Sequence, residues 1–563
     1  MSGRSLSDSR VRWFAFVLSF ACYVSVGYWL QVRHGFIIGD SLARVEAAQS
    51  VLFSRSPHVA AIGFIFTPLT AALQIPLVAL GNIWPPMAER AFSGTLMSAT
   101  FMAGAVVQIL GIGMDRGLAR WFVLTVAALF ALNPMIVFYG SNGMSEAPFI
   151  FFIVWATRRL IMWMVDDDVH HLIAAGGVAM GLAYLTRYDA VAVIAVAGFL
   201  VVGTTYLRAR KSPRFKRALL DMILVSGPGT LAFVGWAVAS WLITGLAFAQ
   251  FSSQYGNSSI LAQEGAGSAP PKLEALLYSL TSITLLSVTL GPLLIWAVVA
   301  RWGRTYWTML VAPVTLFGAV LGFQAYTFSK GATFPFLRFY IAAIPFAATI
   351  AFFCVRNGRL RTPVRLGNYA VREADPSLAA GKKRTWAYVL SALLLAASLP
   401  VAGWGMTSAK YAPQEYGMGA LFAGPNASGQ RNLDQRRLAA TFSTERDIAR
   451  YLDRIDLPDG SILADPVYAF AIIVASRHPK RFVVPSDPDF VAMLNDPTAN
   501  RVRYMLAVPN KGRGAADALN QRYPALYETG SDVATLELEV PNAGKDQPVW
   551  RLYRVNDPVS ITG

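Results

Sequence analysis

Apolar runs of membrane-crossing length fill the chain up to residue 404. Counting stretches close to the roughly 20 residues that a bilayer requires predicts about eleven spans. They fall at 13–30, 91–112, 120–139, 147–165, 172–186, 189–207, 218–243, 276–300, 306–327, 335–354 and 386–404. A further apolar run at 62–80 is interrupted by Pro68 and Pro76. The basic loops at 115–120, 208–217, 301–304 and 356–384 share the side of the N-terminal arginines only if that run does not cross. Lys and Arg collect on the cytoplasmic side of a membrane. The pattern therefore predicts that 62–80 lies in the outer interface as a surface or re-entrant helix. Arg4, Arg10 and Arg12 precede the first run, and no small-residue cleavage site follows it. The first run is thus expected to be an uncleaved span of a multi-pass cytoplasmic (inner) membrane protein, with a cytoplasmic N-terminus.

The pattern changes after residue 405. Gly- and Pro-punctuated polar sequence carries short apolar runs, SILADPVYAFAII, RFVVPSD, VRYMLAV, ATLELEV and VWRLYRV. Helical periodicity lies between some of them, at 446–456 and 514–523. This alternation predicts a C-terminal α/β domain over 405–563, and an odd number of spans puts it outside the cell. The predicted fold class is mainly α: a polytopic membrane domain over 1–404, with interfacial helices, followed by that extracytoplasmic α/β domain.

Composition adds little to this picture. The chain has 563 residues, of which 55% are hydrophobic and 15% charged. The charged share is well below the roughly 25% of soluble proteins. The formal net charge is +16. Positive-inside topology accounts for most of it, so no nucleic-acid partner is expected. Cys22 and Cys354 both sit in apolar runs, which leaves no disulfide framework.

The candidate chemistry collects in the loops on the outer side. The first holds Asp40, Arg44, Glu46, Arg55 and His58. Within it, Leu42, Val45, Gln49 and Leu52 recur at helical spacing, and Asp40 lies four residues before Arg44 on one helix face. The second is SNGMSEAP with Glu146, and the third LTRYDA with Arg187 and Asp189. A fourth, Gly/Ser/Gln-rich, runs over 246–272, and the fifth is SKGATFPFLRFY with Lys330 and Arg338. Carboxylates suit general-base work or metal ligation, and Arg and Lys beside them suit a phosphate. Each residue also has a plainer reading. Asp40 fits a helix N-cap, and Glu146 with Ser145 fits a helix start. Arg187 and Asp189 are close enough to pair with each other. A lone Arg338 inside an apolar span needs a partner, either lipid phosphate or a carboxylate. Lys330 fits an interface anchor, His58 a polar loop residue, and Asp166–Asp168 a solvated inner loop. Asn257 and Asn426 head glycosylation-type tripeptides of the kind that recur by chance.

Four stretches together resemble the membrane glycosyltransferases of the GT-C superfamily, in particular the protein O-mannosyltransferase and aminoarabinose-transferase branch. GDSLARVEAAQSVLF is similar to their first outer loop, IFTPLTAALQIPLVALG to the Pro-Leu interfacial helix that follows it, NPMIVFYGSNGMSEAPFIFF to their next outer loop, and FPFLRFYIAAIPF to a late helix whose cation meets lipid phosphate. Relatives often carry an acidic pair where this chain has Asp40 alone. The resemblance implies an inverting transfer of a sugar from a polyprenyl-phosphate donor, among membrane lipids, to an acceptor glycan, glycolipid or protein. It implies Asp40 as base, Arg338 with Lys330 or Arg187 on the phosphate, and Glu146 or Glu46 toward the acceptor or a divalent metal, the candidate cofactor. Arg44, His58 and Asp189 are further site candidates. The alternative is a transporter or lipid flippase, which requires charges near the bilayer midplane and broken helices in paired positions.

Overall fold

The computed structural model describes residues 2–208, 213–263, 268–301, 307–355, 383–423 and 428–556. Most of the basic stretches at 301–304 and 356–384, and Asn426, lie outside the described residues. Among the described residues, eight helices are long and apolar enough to cross a membrane. They are Asp8–Arg33, Phe92–Asp115, Glu146–Asp166, Val169–Thr186, Ala190–Arg208, Arg214–Thr244, Val311–Ser329 and Thr385–Gly405.

The other three expected spans differ from continuous membrane helices. The third is two helices, Arg120–Ala131 and Pro134–Ser141, bent by 62°. Pro134 has no N–H to continue the ladder, so it opens a new helix, and Asn133 caps that helix by accepting from the Met135 amide at 3.1 Å. The eighth is Lys272–Leu286 and Leu290–Ala300, bent by 80°. Pro292 stands in the first turn of its second half, the one part of a helix that tolerates proline. The tenth, Leu337–Phe353, is an apolar helix shorter than a full span.

The run at 62–80 is broken into single turns, and its longest helical piece is Leu69–Asn82. At 1.5 Å per residue that piece covers about 21 Å, short of the roughly 30 Å hydrocarbon core. Gln74 pins it to the Phe92–Asp115 helix by accepting from Ser93 Oγ at 3.1 Å.

Beyond residue 405 a sheet forms in the order β2-β1-β3-β5-β4 among the described residues. The strands are β1 (Ile462–Leu463), β2 (Phe482–Val483), β3 (Tyr504–Ala507), β4 (Ala534–Val540) and β5 (Trp550–Val555). β1 runs parallel to β2 and β3, while β5 is antiparallel to β3 and β4. Side chains alternate across it, as a strand requires. Ile462, Phe482, Tyr504 and Leu506 pack on Ile448, Leu452 and Ile472. Leu463, Val483, Met505 and Ala507 face Phe490, Met493, Leu519 and Leu526. The run PVYAFAIIVA folds as the helix Pro466–Ala475, although its apolar residues read as strand-like. Asp465 caps it, accepting from Val467 N at 2.9 Å.

This α/β layer sits on the Gly39–Phe53 helix. Leu42, Val45 and Ala48 share a buried cluster with Phe442, Ala471 and Val474. Gln49 is buried in the same helix but Leu52 is exposed, so the apolar face turns toward Ala48 rather than Leu52. The long polar loop is tied to the layer as well, with Tyr255 donating to Asp465 Oδ2 at 2.8 Å and Gln521 donating to Gln254 at 2.9 Å. Asn257 donates to the Ala332 carbonyl at 3.0 Å.

The Phe92–Asp115 and Glu146–Asp166 helices place Ile83 and His170 at opposite ends of the bundle, since Asp115 meets Arg158 at 2.6 Å far from Glu146. Ile83 is 83% exposed and the His170 side chain 83% exposed. Ile83→Cys and His170→Cys should therefore react with an impermeant thiol reagent from opposite faces of sealed vesicles. Val59, ahead of the 62–80 run and 78% exposed, should as Val59→Cys label from the same face as Ile83→Cys; labelling of those two from opposite faces would place the 62–80 run across the membrane.

Candidate active site

Four sequence segments build one charged cluster at the Asp40 end of the bundle. Asp40 stands in the first turn of the Gly39–Phe53 helix, and Glu146 opens the Glu146–Asp166 helix. Arg187 lies between two spans, and Arg338 belongs to the 3-10 turn Leu337–Tyr340. Neither helix start uses its carboxylate as a cap. Ile38 occupies the N-cap position before Asp40, Ser145 that before Glu146, and neither side chain accepts a capping hydrogen bond.

The segment carrying Glu146 is held by a polar network on its neighbours. Gln31 donates to the Asn142 carbonyl at 3.1 Å and accepts from Thr95 Oγ1 at 2.6 Å. Ser98 donates to the Gly140 carbonyl at 3.0 Å and accepts from Gly143 N at 3.1 Å. Gly143 has φ +78°, and a Cβ there would lie 2.3 Å from Ser41 Oγ. A side chain at 143 would push this loop off the helix that carries Asp40.

Among the described residues the cluster is a chain of alternating charge. Arg187 Nη2 meets Asp189 Oδ2 at 2.8 Å, and Arg187 Nη1 meets Glu146 Oε1 at 2.7 Å. Arg338 Nε is 3.8 Å from the same Glu146 oxygen, and Arg338 Nη2 donates to Asp40 Oδ2 at 3.0 Å. Arg44 donates to the main-chain carbonyl of Asp40 at 2.7 Å rather than to its carboxylate. It also reaches Ser145 Oγ at 3.5 Å and covers the Phe66 ring at 4.1 Å. Phe336 and Phe339 flank the Arg338 guanidinium at 5.0 and 5.2 Å from their centroids, a favourable cation–π setting.

Access singles out Asp40. Its side chain is 39% exposed, against 2% for Glu146, 3% for Asp189 and 6% for Arg338. Burial pushes the Asp40 carboxyl up, but Arg338 and then Arg44 outweigh it and hold the group below its ordinary value. Asp40 therefore stays ionised at neutral pH.

Three of the sequence candidates lie outside this cluster. Glu46 is on another face of its helix, where it accepts from Ser50 Oγ at 2.7 Å. Desolvation pushes its carboxyl up to about 7. His58 Nδ1 is 2.7 Å from the Ser56 carbonyl, a local turn contact. Lys330 is exposed and covers Tyr326 at 5.8 Å. Conversely, Glu415 was not singled out by the sequence. It is buried and accepts from Tyr139 Oη beside Arg338, and desolvation raises its carboxyl above the ordinary value. No pattern in the residues around Glu415 points to it; only the fold brings 415 to 139.

The three aspartates 166–168 do not form a free solvated loop. His171 Nε2 is 3.1 Å from Asp166, Asp167 pairs with Arg217, and His170 Nδ1 is 2.7 Å from Asp168. Among the described residues no group of three or more His, Cys, Asp and Glu is arranged to hold a metal. In the cluster each carboxylate faces a guanidinium rather than another carboxylate. That donor set does not fit a divalent cation.

Burial ranks the cluster's members for stability. Arg187→Ala leaves Glu146 and Asp189 buried with their closest cation gone, which should cost about 3–5 kcal/mol. Arg338→Ala uncovers the partly exposed Asp40 and should cost clearly less. Thermal unfolding of the two purified variants checks the order; a larger loss for Arg338→Ala would contradict it.

No protein-family model matches the chain, and no curated protein sequence matches it. Solved structures do. The chain is similar to the protein O-mannosyltransferase Pmt1-Pmt2 complex of S. cerevisiae bound to its sugar donor, at 16% identity and TM-score 0.29, over 40% of this chain and 33% of that one. It thus matches about a third of the yeast chain's length. It is similar to the Archaeoglobus fulgidus oligosaccharyltransferase tethered to an acceptor peptide, at 11% identity and TM-score 0.41, over 98% of this chain and 75% of that one. It is also similar to the oligosaccharyltransferase AglB from the same organism, in complex with an inhibitory peptide and a dolichol-phosphate, at 11% identity and TM-score 0.38, over 98% and 74%.

Proposed function

We propose that the protein is an inverting glycosyltransferase that moves a sugar from a polyprenyl-phosphate donor to a hydroxyl of an acceptor glycan, glycolipid or protein at the outer face of the cytoplasmic membrane. One observation carries the reading: the exposed Asp40 carboxylate stands 3.0 Å from the buried Arg338 fork, at the end of the apolar helices. A base and a phosphate-binding cation are thereby side by side at the level of lipid headgroups. The cluster's charges lie at helix ends rather than at mid-span, which favours this reading over transport.

In the proposed reaction the acceptor hydroxyl enters from the open side of Asp40. Its oxygen bonds to the anomeric carbon while the bond from that carbon to the phosphate oxygen breaks. The hydroxyl proton passes to the Asp40 carboxylate. The phosphate leaves with the bonding electron pair, and Arg338, supported by Arg187, neutralises the charge that develops there. Glu146 keeps both guanidiniums aimed while remaining too buried to meet the acceptor itself.

Asp40→Asn keeps size and polarity but cannot take the proton. It should fold and bind donor lipid, yet transfer sugar roughly 10²–10⁴-fold more slowly. A fully active Asp40→Asn enzyme would remove Asp40 from the chemistry. The rate profile separates the two carboxylates of the Gly39–Phe53 helix. The reactive form is the carboxylate, and Asp40 is held below its ordinary value, so kcat/KM should stay level from pH 8 down to about 5 and fall only in the ordinary carboxylate range or below. A fall centred near pH 7 would instead point to Glu46. Arg338→Lys keeps the charge and loses the fork, so donor binding should weaken in part, and in Arg338→Ala far more. Equal donor affinity in the wild type and Arg338→Ala would exclude Arg338 from the phosphate.

A further inference from the structure

Away from the cluster, two other guanidiniums meet where the first span ends. The turn Tyr28–Arg33 closes that span, and Gly35 follows at φ +68°. A Cβ on Gly35 would lie 2.9 Å from Arg90 Nη1 and 3.1 Å from Arg446 Nη2. Only glycine lets the two guanidiniums lie this close to the main chain, in a conformation that side chains rarely adopt. Arg90 follows the short helix Pro86–Glu89, just ahead of the Phe92–Asp115 span. Arg446 lies in the first turn of Ser443–Arg454, beside the C-terminal sheet. Two like charges from either side of the seam thus converge on one point.

The neighbouring carboxylates do not balance them. Glu445 accepts from Trp550 Nε1 at 2.9 Å and from Asn542 Nδ2 at 2.7 Å. Asp447 pairs with Arg450. Glu89 lies near Arg90, Arg450 and Arg477, and its charge is shared among them. Among the described residues neither Arg90 nor Arg446 makes an ion pair within 4.0 Å, and Arg446 Nη1 is buried without a hydrogen-bond partner. Two adjacent guanidiniums, one with a buried unpaired donor, form a ready seat for an oxyanion.

The surroundings fix the level of this seat. Trp29 packs on His34 at 4.7 Å and on Phe422 at 5.6 Å. Trp84 packs edge-on to Phe92 at 5.0 Å. Ile83 is 83% exposed and Phe422 77% exposed. Tryptophans beside outward apolar side chains at a span's end mark the headgroup region of a bilayer.

We infer that Arg90 and Arg446 bind the phosphate of an anionic membrane lipid, whose headgroup bridges the membrane helices and the C-terminal layer. Each guanidinium supplies paired N–H donors to the phosphodiester oxygens. The acyl chains extend along the exposed apolar side chains beside Ile83. Neither arginine is among the ion pairs of the Asp40 cluster, and the test needs no transferase activity.

The experiment uses the full chain in neutral detergent, with thermal unfolding and native mass spectrometry. Three probes are added: phosphatidylglycerol, phosphatidylcholine and inorganic phosphate. Phosphatidylglycerol should raise the unfolding temperature and remain bound, and phosphatidylcholine should do so much less. The double variant Arg90→Gln, Arg446→Gln should bind phosphatidylglycerol roughly tenfold more weakly. Should that variant fail to fold, Arg446→Lys decides, because it keeps the charge and loses the fork; its phosphatidylglycerol affinity should fall severalfold. Unchanged affinity in the variant that folds would overturn the inference, as would equal stabilisation by phosphatidylcholine. Inorganic phosphate at millimolar concentration reproducing the whole effect would replace the lipid by a free anion and overturn it as well.

Discussion

The Asp40 end of the protein depends on one constraint: charge taken out of water must be paired. Glu146 is the pivot. Its oxygen Oε1 lies 2.7 Å from Arg187 and 3.8 Å from Arg338, so one buried carboxylate steadies two guanidiniums from distant parts of the chain. Arg338 in turn reaches Asp40. Because Glu146 and Asp189 already answer the two cations, Asp40 can remain at the opening with free lone pairs. Burying such pairs adds little net stability, whereas removing one partner leaves an uncompensated buried charge.

The scaffold serves that arrangement. The break at Asn133-Pro134 turns the chain into the short helix Pro134–Ser141, which delivers the loop before Glu146. The buried network of Gln31, Thr95 and Ser98 fixes this loop on the first two long helices. The Gly39–Phe53 helix is gripped from two sides, by the bundle and by the Pro466–Ala475 helix of the C-terminal layer. The position of Asp40 is thus set jointly by both halves of the chain. The Tyr255 contact to Asp465 and the Phe251 ring 5.1 Å from Tyr188 carry the same coupling through the long polar loop.

Hydropathy made the helical bundle legible, because apolar length is a one-dimensional signal. All eleven expected segments contain helix, and among the described residues those broken ahead of Pro134 and Pro292, together with the short Leu337–Phe353, fall short of one continuous helix of spanning length. The strands beyond 405 were readable where Val, Tyr and Trp alternate, as in VRYMLAV and VWRLYRV. AFAII was misleading because a continuous apolar run fits either a buried strand or a buried helix, and the Asp465-Pro466 start decides for the helix. Within the site, Asp40, Arg44, Glu146, Arg187, Asp189 and Arg338 could be named from loop position. The Arg187–Asp189 pair could be read as well; the long-range pairing could not, since contacts across 298 residues, such as that of Arg338 with Asp40, leave no local trace. Glu46 and His58 illustrate the converse: nearness in sequence to Asp40 did not bring them to it, because the helix turns Glu46 to another face and His58 lies beyond the helix's end, in extended chain on the Ser56 carbonyl. Glu415 meets Tyr139 only through the fold, and the Arg90–Arg446 seat exists only through the docking of the C-terminal layer.

The proposed reaction requires Arg338 to exchange one oxyanion for another when the donor binds. A structure of the protein with a polyprenyl phosphate, at a resolution that shows side chains, tests this most directly. The account predicts the Arg338 guanidinium within hydrogen-bond distance of the phosphate, Glu146 still holding Arg187, and the Asp40 carboxylate released toward the open side. Phosphate bound elsewhere, with Arg338 still on Asp40, would contradict it.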